Sequence, residues 1–287
     1  MKTFFSAGQF FGALTLVAAA LLPASCTSRK AELGTAENPV KFFFTPSVDA
    51  KVLEDNSKVI QDFLEKNTPY KFQVSIPQSY IAVVEAFGTK RADICGINTF
   101  GYILAHEKYG VEVKLTVVRR GLSTYQSQFL ARADGTIRTL ADFKGKKVAL
   151  VDAASASGYL VPLKTLKDKG YDPGQIVFAG KHDNVVSMIY QGQVDGGATF
   201  YSPPSENRIR DARELVLTQY PDVEKKVKIV ALSDPIPNDP IIFRREMPDE
   251  MKEKIAGAII KLVGTPEGRE AFEKIFGATD VKRATDA

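Results

Sequence analysis

A regular alternation of short apolar runs with longer amphipathic stretches is the feature that most constrains how this chain folds. The run VKFFFTP (40–46) predicts a strand, and residues 50–66 then carry apolar side chains at helical spacing. The same pair of patterns recurs in residues 70–90 and again in residues 92–110. Because each predicted strand is followed by a helix that packs back on the sheet, the sequence predicts an α/β fold with mostly parallel strands.

The alternation is interrupted once and then resumes, which predicts two lobes. Residues 111–132 contain two extended segments, after which a second series of strands and helices begins. Further strands then return to the first series, and two helices are predicted to end the chain. We expect a first lobe of residues 39–132 and 232–287 and a second lobe of residues 133–231, joined by two crossings. Hinged proteins that enclose a ligand between their lobes have this plan.

The N-terminal residues predict export. Residues 10–22 are almost all apolar or small, and this run is too short to span a membrane comfortably, so residues 1–25 are predicted to be a secretory signal peptide. The segment LLPASC, which ends at Cys26, resembles the lipobox of bacterial lipoproteins, with Pro23 where leucine is usual. Lipidation of Cys26 is therefore expected, with residues 26–38 as a tether. Ordinary secretion and a retained signal anchor are the alternatives.

Composition and motifs argue against several classes of protein. The net charge is +4 and no lysine or arginine block is present, so a nucleic-acid partner is not expected. The only cysteine besides Cys26 is Cys95, which we interpret as a buried core residue, so neither an intramolecular disulfide nor a metal site is predicted. The sequence contains no P-loop, no GxGxxG motif after the first strand and no GxSxG motif. A binding protein without a cofactor is predicted, and not an enzyme.

The segment DAASASGYLVP (152–162) has the residues of an anion site. A predicted strand runs directly into Ser155, Ser157 and Gly158, which open a helix. Such a turn aims free backbone N–H groups and the positive end of the helix dipole outward, and the serine hydroxyls add donors. The alternative is that Ser155 only caps the helix.

Several motifs, taken in order, resemble those of the phosphate, phosphite and phosphonate binding proteins of ABC importers. SASGYLVP resembles the family's serine signature, and the same order continues in the other matching segments. These segments are SYIAVVEA (79–86), ADICGINTFGY (92–102), ADFKGKKVALVD (141–152), His182, VDGG (194–197) and PNDP (237–240). Together the matches cover roughly residues 40–265. The resemblance implies a two-lobed periplasmic binding protein fold of type II.

The resemblance also implies a function and partners. The chain would be the substrate-binding component of an ABC importer, capturing a phosphonate, phosphite or phosphate and delivering it to a membrane permease and its ATPase. It would act as a monomer on the periplasmic or cell-surface side of the cytoplasmic membrane, attached through its N-terminal lipid. A sensory protein that presents a related oxyanion to a membrane receptor is the main alternative, and an enzyme that borrowed the fold is a weaker one.

Carried over position by position, the resemblance implies nine ligand-binding residues. They are Tyr80, Asn98, Thr99, Ser155, Ala156, Ser157, His182, Tyr201 and Asp239. In binders of aminoalkylphosphonates, the carboxylate at the position of Asp239 can face the ligand's ammonium group. Ala156 stands where the family often has threonine, and no carboxylate is found near Tyr201. These departures favour phosphite, phosphate or a short alkylphosphonate.

Three of the polar residues outside the serine turn have a structural alternative. In this alternative, Tyr80 at a strand end covers the edge of the core, His182 makes only local hydrogen bonds, and Asp239 between prolines fixes the hinge. Arg119 and Arg120 are also candidates for anion binding. Because adjacent residues of a strand face opposite ways, we expect at most one of these two arginines to reach a cleft.

Overall fold

Two separate six-stranded sheets form the centre of this protein in its computed structural model, which describes residues 31–205 and 207–286. The features described below all lie in the compact unit that begins at Glu32. The predicted signal peptide and the predicted lipidation site at Cys26 lie outside the described residues.

The chain first builds most of lobe 1. Its elements are β1 (Val40–Phe44), α1 (Ala50–Asn67), β2 (Phe72–Ser75), α2 (Tyr80–Gly88), β3 (Ile94–Gly96), α3 (Thr99–Tyr109) and β4 (Glu112–Val118). The side chains of β1 are alternately buried and half-buried, and those of Phe42 and Phe44 lie in the core. Asp49 caps the start of helix α1, where its carboxylate accepts hydrogen bonds from the amides of Lys51 and Val52. These elements agree closely with the alternation predicted from the sequence.

The next elements along the chain form lobe 2. It contains β5 (Thr124–Arg132), β6 (Lys147–Leu150), α4 (Val161–Asp168), β7 (Gln175–Phe178), α5 (His182–Tyr190), β8 (Gly196–Tyr201), α6 (Val223–Lys226), β9 (Val227–Leu232) and β10 (Ile236–Pro237). Short 3₁₀ turns occur at Leu140–Phe143 and Ala212–Val216, and a π-helical turn at Ala156–Leu160 leads into α4. The chain then returns to lobe 1 with β11 (Pro240–Phe243), α7 (Asp249–Val263), α8 (Pro266–Phe276) and β12 (Asp280–Arg283).

The two sheets have similar arrangements of parallel and antiparallel strands. The strand order is β12-β4-β11-β3-β1-β2 in lobe 1 and β10-β5-β8-β6-β7 in lobe 2, where β9 also pairs with β5. In each sheet three neighbouring strands are parallel, and the next strand, β11 or β5, is antiparallel. Because apolar clusters cover both faces of each sheet, the parallel strands carry nearly continuous apolar runs. The predicted α/β, two-lobed type II fold is confirmed.

The predicted boundaries between the lobes differ from the structure. Strand β5 was expected in lobe 1, but it pairs with β8 and β9 in the sheet of lobe 2. Strands β9 and β10 also pair with β5, so lobe 2 extends to Pro237. The crossings therefore lie at residues 119–123 and 238–239. The first crossing contains a turn in which Arg120 and Gly121 have φ values of 49° and 81°.

Both ends of the described chain also differ from the elements predicted for them. The predicted tether of residues 26–38 is too long, because the Gly34 carbonyl accepts a hydrogen bond from the Lys71 amide and Leu33 packs against the core of lobe 1. At the other end, the two predicted helices are followed by β12, which pairs antiparallel with β4. Within residues 31–205 and 207–286, no helix is long and apolar enough to cross a membrane.

Candidate functional site

A cavity of about 100 Å³ is lined by residues of both lobes. Sites for drug-sized molecules have volumes of roughly 300–1,000 Å³, so this cavity suits a ligand of only a few heavy atoms. Six of the nine predicted ligand-binding residues line it, namely Tyr80, Asn98, Ser155, Ser157, His182 and Asp239. The predicted site residues thus come together from five separate segments of the chain.

The serine turn lies between β6 and α4. The Ser155 Oγ accepts a hydrogen bond from the Gly158 amide at 3.1 Å, so this serine does cap the helical turn that continues into α4. The side chains of Ser155 and Ser157 are almost fully buried, and both line the cavity. A hydroxyl that accepts one hydrogen bond still has its own proton to donate. Capping and anion binding by Ser155 are therefore compatible.

Two buried tyrosines stand beside the two serines. The Tyr80 hydroxyl from lobe 1 interacts with the Ser155 side chain, and the Tyr125 hydroxyl from β5 interacts with that of Ser157. Burial raises the pKa of both phenols, so both remain neutral and able to donate a hydrogen bond. Tyr80 also packs in an apolar cluster of lobe 2, which joins the lobes at this point. Tyr125 was not predicted as a site residue, because β5 was expected in lobe 1 and lies in lobe 2.

Asn98 and His182 each bring a buried nitrogen that has no partner among the described residues. The Asn98 Oδ1 accepts from the amides of Phe100 and Gly101 at 3.0 and 3.1 Å, which leaves its Nδ2 unpartnered. The His182 Nδ1 is likewise unpartnered, and its ring packs edge-on against Phe200 with the centroids 5.0 Å apart. Burial and the nearby Arg119 cation lower the pKa of His182 to about 3. His182 is therefore neutral at physiological pH.

This low pKa predicts how stability depends on pH. The unfolded chain takes up a proton at His182 below about pH 6.5, whereas the folded protein does so only at a pH of about 3, so acidification between these values favours unfolding. Between pH 7 and pH 5, the free energy of unfolding of the wild type should fall by about 2 kcal/mol more than that of a His182→Gln variant. Urea unfolding without ligand at both pH values measures the difference.

The comparison between the two proteins contains its own control. Because the wild type and the His182→Gln variant share every other titratable group, measuring both at the same two pH values isolates the contribution of His182. Equal losses in the wild type and in the His182→Gln variant would contradict the prediction.

Arg119 and Asp239 form a buried ion pair in the wall of the cavity. The Arg119 Nη2 donates to the Asp239 Oδ2 at 2.8 Å, and its Nε donates to the Phe276 carbonyl at 3.0 Å. The guanidinium also lies over the Tyr125 ring, 4.2 Å from its centroid. Burial raises the pKa of Asp239, and the Arg119 cation opposes that rise. The Arg119 Nη1 and the Asp239 Oδ1 have no partner within residues 31–205 and 207–286.

A second charged group lines another part of the cavity. Arg120 pairs with Glu273 of α8, and Arg210 of lobe 2 pairs with Glu273 at 3.2 Å and with Glu214 at 3.1 Å. The prediction that at most one of Arg119 and Arg120 reaches the cleft is wrong, because β4 ends at Val118 and the backbone turns at Arg120. Strand alternation no longer applies there. The ion pair between Arg210 and Glu273 links the two lobes.

Three predicted site residues do not line the cavity. The Thr99 hydroxyl donates to the Pro237 carbonyl at 2.8 Å. The Ala156 side chain is buried in an apolar cluster with Tyr125 and Ile236. Phe200 lines the cavity in place of Tyr201, because neighbouring residues of β8 face opposite sides of the sheet.

The arrangement is suited to a small anion. Within the part of the chain that the structure describes, buried nitrogens of Asn98, Arg119 and His182 have no partner, and their side chains line the same cavity as Ser155 and Ser157. Buried polar groups in proteins normally have a partner, so a ligand that accepts several hydrogen bonds would satisfy them. The donors are hydroxyls, an amide, an imidazole and one arginine that is already paired with a carboxylate. The fold and the cavity define the class, a two-lobed α/β protein with a small cavity lined by hydrogen-bond donors of both lobes.

Comparison with known families agrees with this class. Residues 42–287 match the model of the family described as ABC transporter, phosphonate, periplasmic substrate-binding protein. The chain belongs to this family, and the resemblance predicted from its motifs is confirmed.

The sequence is also similar to those of two relatives. The chain is 31% identical over 199 residues to the phosphate-import protein PhnD of Mycolicibacterium smegmatis, covering 63% of this chain and 62% of that protein. It is 24% identical over 228 residues to the phosphonates-binding periplasmic protein of Escherichia coli, covering 75% and 63%. The chain thus spans less than two thirds of the length of both relatives.

Solved structures show the same fold. A binding protein component of an ABC phosphonate transporter from Pseudomonas aeruginosa superposes with a TM-score of 0.75 at 19% identity, covering 86% of this chain and 82% of that one. PhnD1 from Prochlorococcus marinus, solved in complex with methylphosphonate, gives a TM-score of 0.73 at 16% identity, covering 86% and 93%.

Proposed function

We propose that this protein captures a small phosphorus oxyanion, namely a phosphonate, phosphite or phosphate, in the cavity between its lobes. The observation that carries the proposal is the pairing of Ser155 and Ser157, at the start of a helix, with two neutral tyrosine hydroxyls. The serine turn adds the positive end of the helix dipole. Neutral donors can hold an anion and release it again when the lobes open. Both relatives are named for a phosphate or phosphonate ligand, which supports the same class of ligand here.

We further propose that the protein delivers this ligand to the permease and ATPase of an ABC importer. Membership of a family of importer substrate-binding proteins supports this role. The segment before Glu32 would hold the protein on the periplasmic side of the membrane through a lipid on Cys26, and the protein would act as a monomer. Radiolabelled palmitate incorporated into the wild type but not into a Cys26→Ala variant would support the anchor, whereas equal labelling of both would contradict it.

Isothermal titration calorimetry tests the proposed ligand class. The full-length protein in detergent and phosphate-free buffer is titrated with phosphate, phosphite, methylphosphonate, 2-aminoethylphosphonate and sulfate. Binding of at least one phosphorus compound, tighter than that of sulfate by tenfold or more, is expected. The absence of binding for all four phosphorus compounds would contradict the proposal.

A further inference from the structure

The ion pair between Arg119 and Asp239 bears on which phosphorus compound the site accepts. Asp239 belongs to the crossing between β10 and β11, and its side chain is almost buried in the wall of the cavity. A carboxylate in such a place would attract a ligand that carries an ammonium group. In this protein, however, the cation beside Asp239 is supplied by the chain itself, with the Arg119 Nη2 only 2.8 Å from the Asp239 Oδ2.

Arg119 is held firmly in this position. Its Nε donates to the Phe276 carbonyl at 3.0 Å, its Nη2 binds Asp239, and its guanidinium lies 4.2 Å from the centre of the Tyr125 ring. The residue is 7% exposed. A ligand that displaced Arg119 from Asp239 would have to break all these contacts and leave a buried cation without its partner, which is costly. A ligand that used the other carboxylate oxygen, the Asp239 Oδ1, would still place its ammonium group close to the guanidinium as a like charge.

The remaining nitrogen of the guanidinium, Arg119 Nη1, is suited to donate a hydrogen bond to an oxyanion. The Arg119 Nη1 is buried and has no partner in the described part of the chain, and Arg119 lines the same cavity as Ser155 and Ser157. Hydrogen bonds from a charged donor to an anionic oxygen are among the strongest in proteins. An ammonium group at this place would instead meet the guanidinium as a like charge, in a site where water screens little.

We propose that Arg119 is a built-in counter-ion that selects phosphorus oxyanions without an amine. This inference rests on the proposed function. Arg119 takes the place beside Asp239 that a ligand's ammonium group would otherwise occupy, and through its Nη1 it donates to the oxyanion. The substrate class is thereby narrowed to phosphite, phosphate and alkylphosphonates that lack an amino group.

Two ligands and one substitution test this selection. The full-length wild type in detergent is titrated calorimetrically with methylphosphonate and with 2-aminoethylphosphonate, and the same is done for an Arg119→Met variant. The wild type is expected to bind methylphosphonate at least tenfold more tightly than 2-aminoethylphosphonate. In the Arg119→Met variant, the ratio of these two affinities should fall tenfold or more, because the anion loses a charged donor while the ammonium group gains access to Asp239.

Further variants separate charge from folding. Arg119→Lys keeps the cation and should keep the wild-type order of the two ligands. Asp239→Asn removes the carboxylate and leaves the cation, so it should keep or increase the preference for methylphosphonate. Arg244→Met breaks another buried ion pair, with Asp93 at 2.8 Å, outside the cavity, and should leave the ratio unchanged. Arg119→Lys and Asp239→Asn keep the proposal testable where Arg119→Met fails to fold.

The outcomes distinguish this inference from the proposed function. Equal affinity of the wild type for the two ligands, or an unchanged ratio in the Arg119→Met variant, would overturn the role of Arg119 and leave the proposed function standing. Failure of the wild type to bind methylphosphonate, phosphite and phosphate alike would overturn both.

Discussion

Replacing Ser155 and Ser157 together with alanine is expected to weaken the binding of methylphosphonate at least a hundredfold. Both side chains are buried and line the cavity, so both hydroxyls are placed to donate to a ligand bound there. A hydrogen bond to a charged group contributes about 1.5–3 kcal/mol, and each loss of about 1.4 kcal/mol weakens binding tenfold. Calorimetry on the double variant and the wild type measures the effect.

The single variants separate the two roles of the serine turn. Ser155→Ala also removes the cap on the Gly158 amide, so it should lower the free energy of unfolding by about 1 kcal/mol. Ser157→Ala should weaken binding without that loss of stability. Thr265→Ala removes the equivalent cap of α8, where Thr265 Oγ1 accepts from the Gly268 amide at 3.0 Å outside the cavity, and should lower stability but not affinity. An affinity of the double serine variant within threefold of the wild type would refute the proposed site.

Local sequence patterns predicted the individual helices and strands of this fold well. They did not predict which strands pair when these strands are distant in sequence. The strand and helix at 40–66 carry their own signal, since burial alternates along β1 and recurs every three or four residues along α1. No such signal tells an extended segment which sheet to join. Strand β5 follows β4 after only five residues, yet the two strands belong to different sheets. That choice depends on partners such as β8, which lie some seventy residues further along the chain.

The same limit explains which site residues were found. Ser155, Ser157 and His182 follow strands that the local apolar patterns located, although β6 and β7 each end two residues earlier than predicted, and all three residues line the cavity. Tyr125 lies on the misassigned β5 and was missed. Phe200 was missed for a smaller reason, because a shift of one residue along a strand moves every side chain to the opposite face.

The role of Arg119 was hidden for a geometric reason. Its ion pair with Asp239 joins residues 120 positions apart, one in each crossing between the lobes. The sequence showed both charges but not their distance. A carboxylate that resembles an amine-recognition residue in the sequence is therefore already paired within the protein. This pairing gives a structural reason for the ligand class that the departures at Ala156 and Tyr201 already favoured.

A Gly158→Ala variant is expected to lose affinity for methylphosphonate to nearly the same extent as the double serine variant. A Cβ atom at this position would lie 2.3 Å from the Val151 Cγ2 and 2.9 Å from the Ser155 Oγ, which is closer than such atoms can approach. The turn would have to move away from Val151 and would carry Ser155 and Ser157 with it. We expect a loss of affinity of about a hundredfold, measured by calorimetry, and a free energy of unfolding lower by about 1–3 kcal/mol.

A second substitution should reverse this loss. The two closest contacts of the added methyl group are with the Val151 Cγ2 at 2.3 Å and the Val151 Cβ at 2.6 Å, so Val151→Gly removes both, whereas Val151→Ala would keep the Cβ. Val151→Gly alone leaves a space in the core, which costs stability but leaves the serine turn in place, so its affinity should be close to that of the wild type. The Gly158→Ala/Val151→Gly variant should then bind methylphosphonate at least tenfold more tightly than Gly158→Ala. If both of these variants bound equally weakly, the position of the serine turn would not be set by the contact between Gly158 and Val151. If Gly158→Ala bound like the wild type, the turn would not need the position it has here to hold the anion.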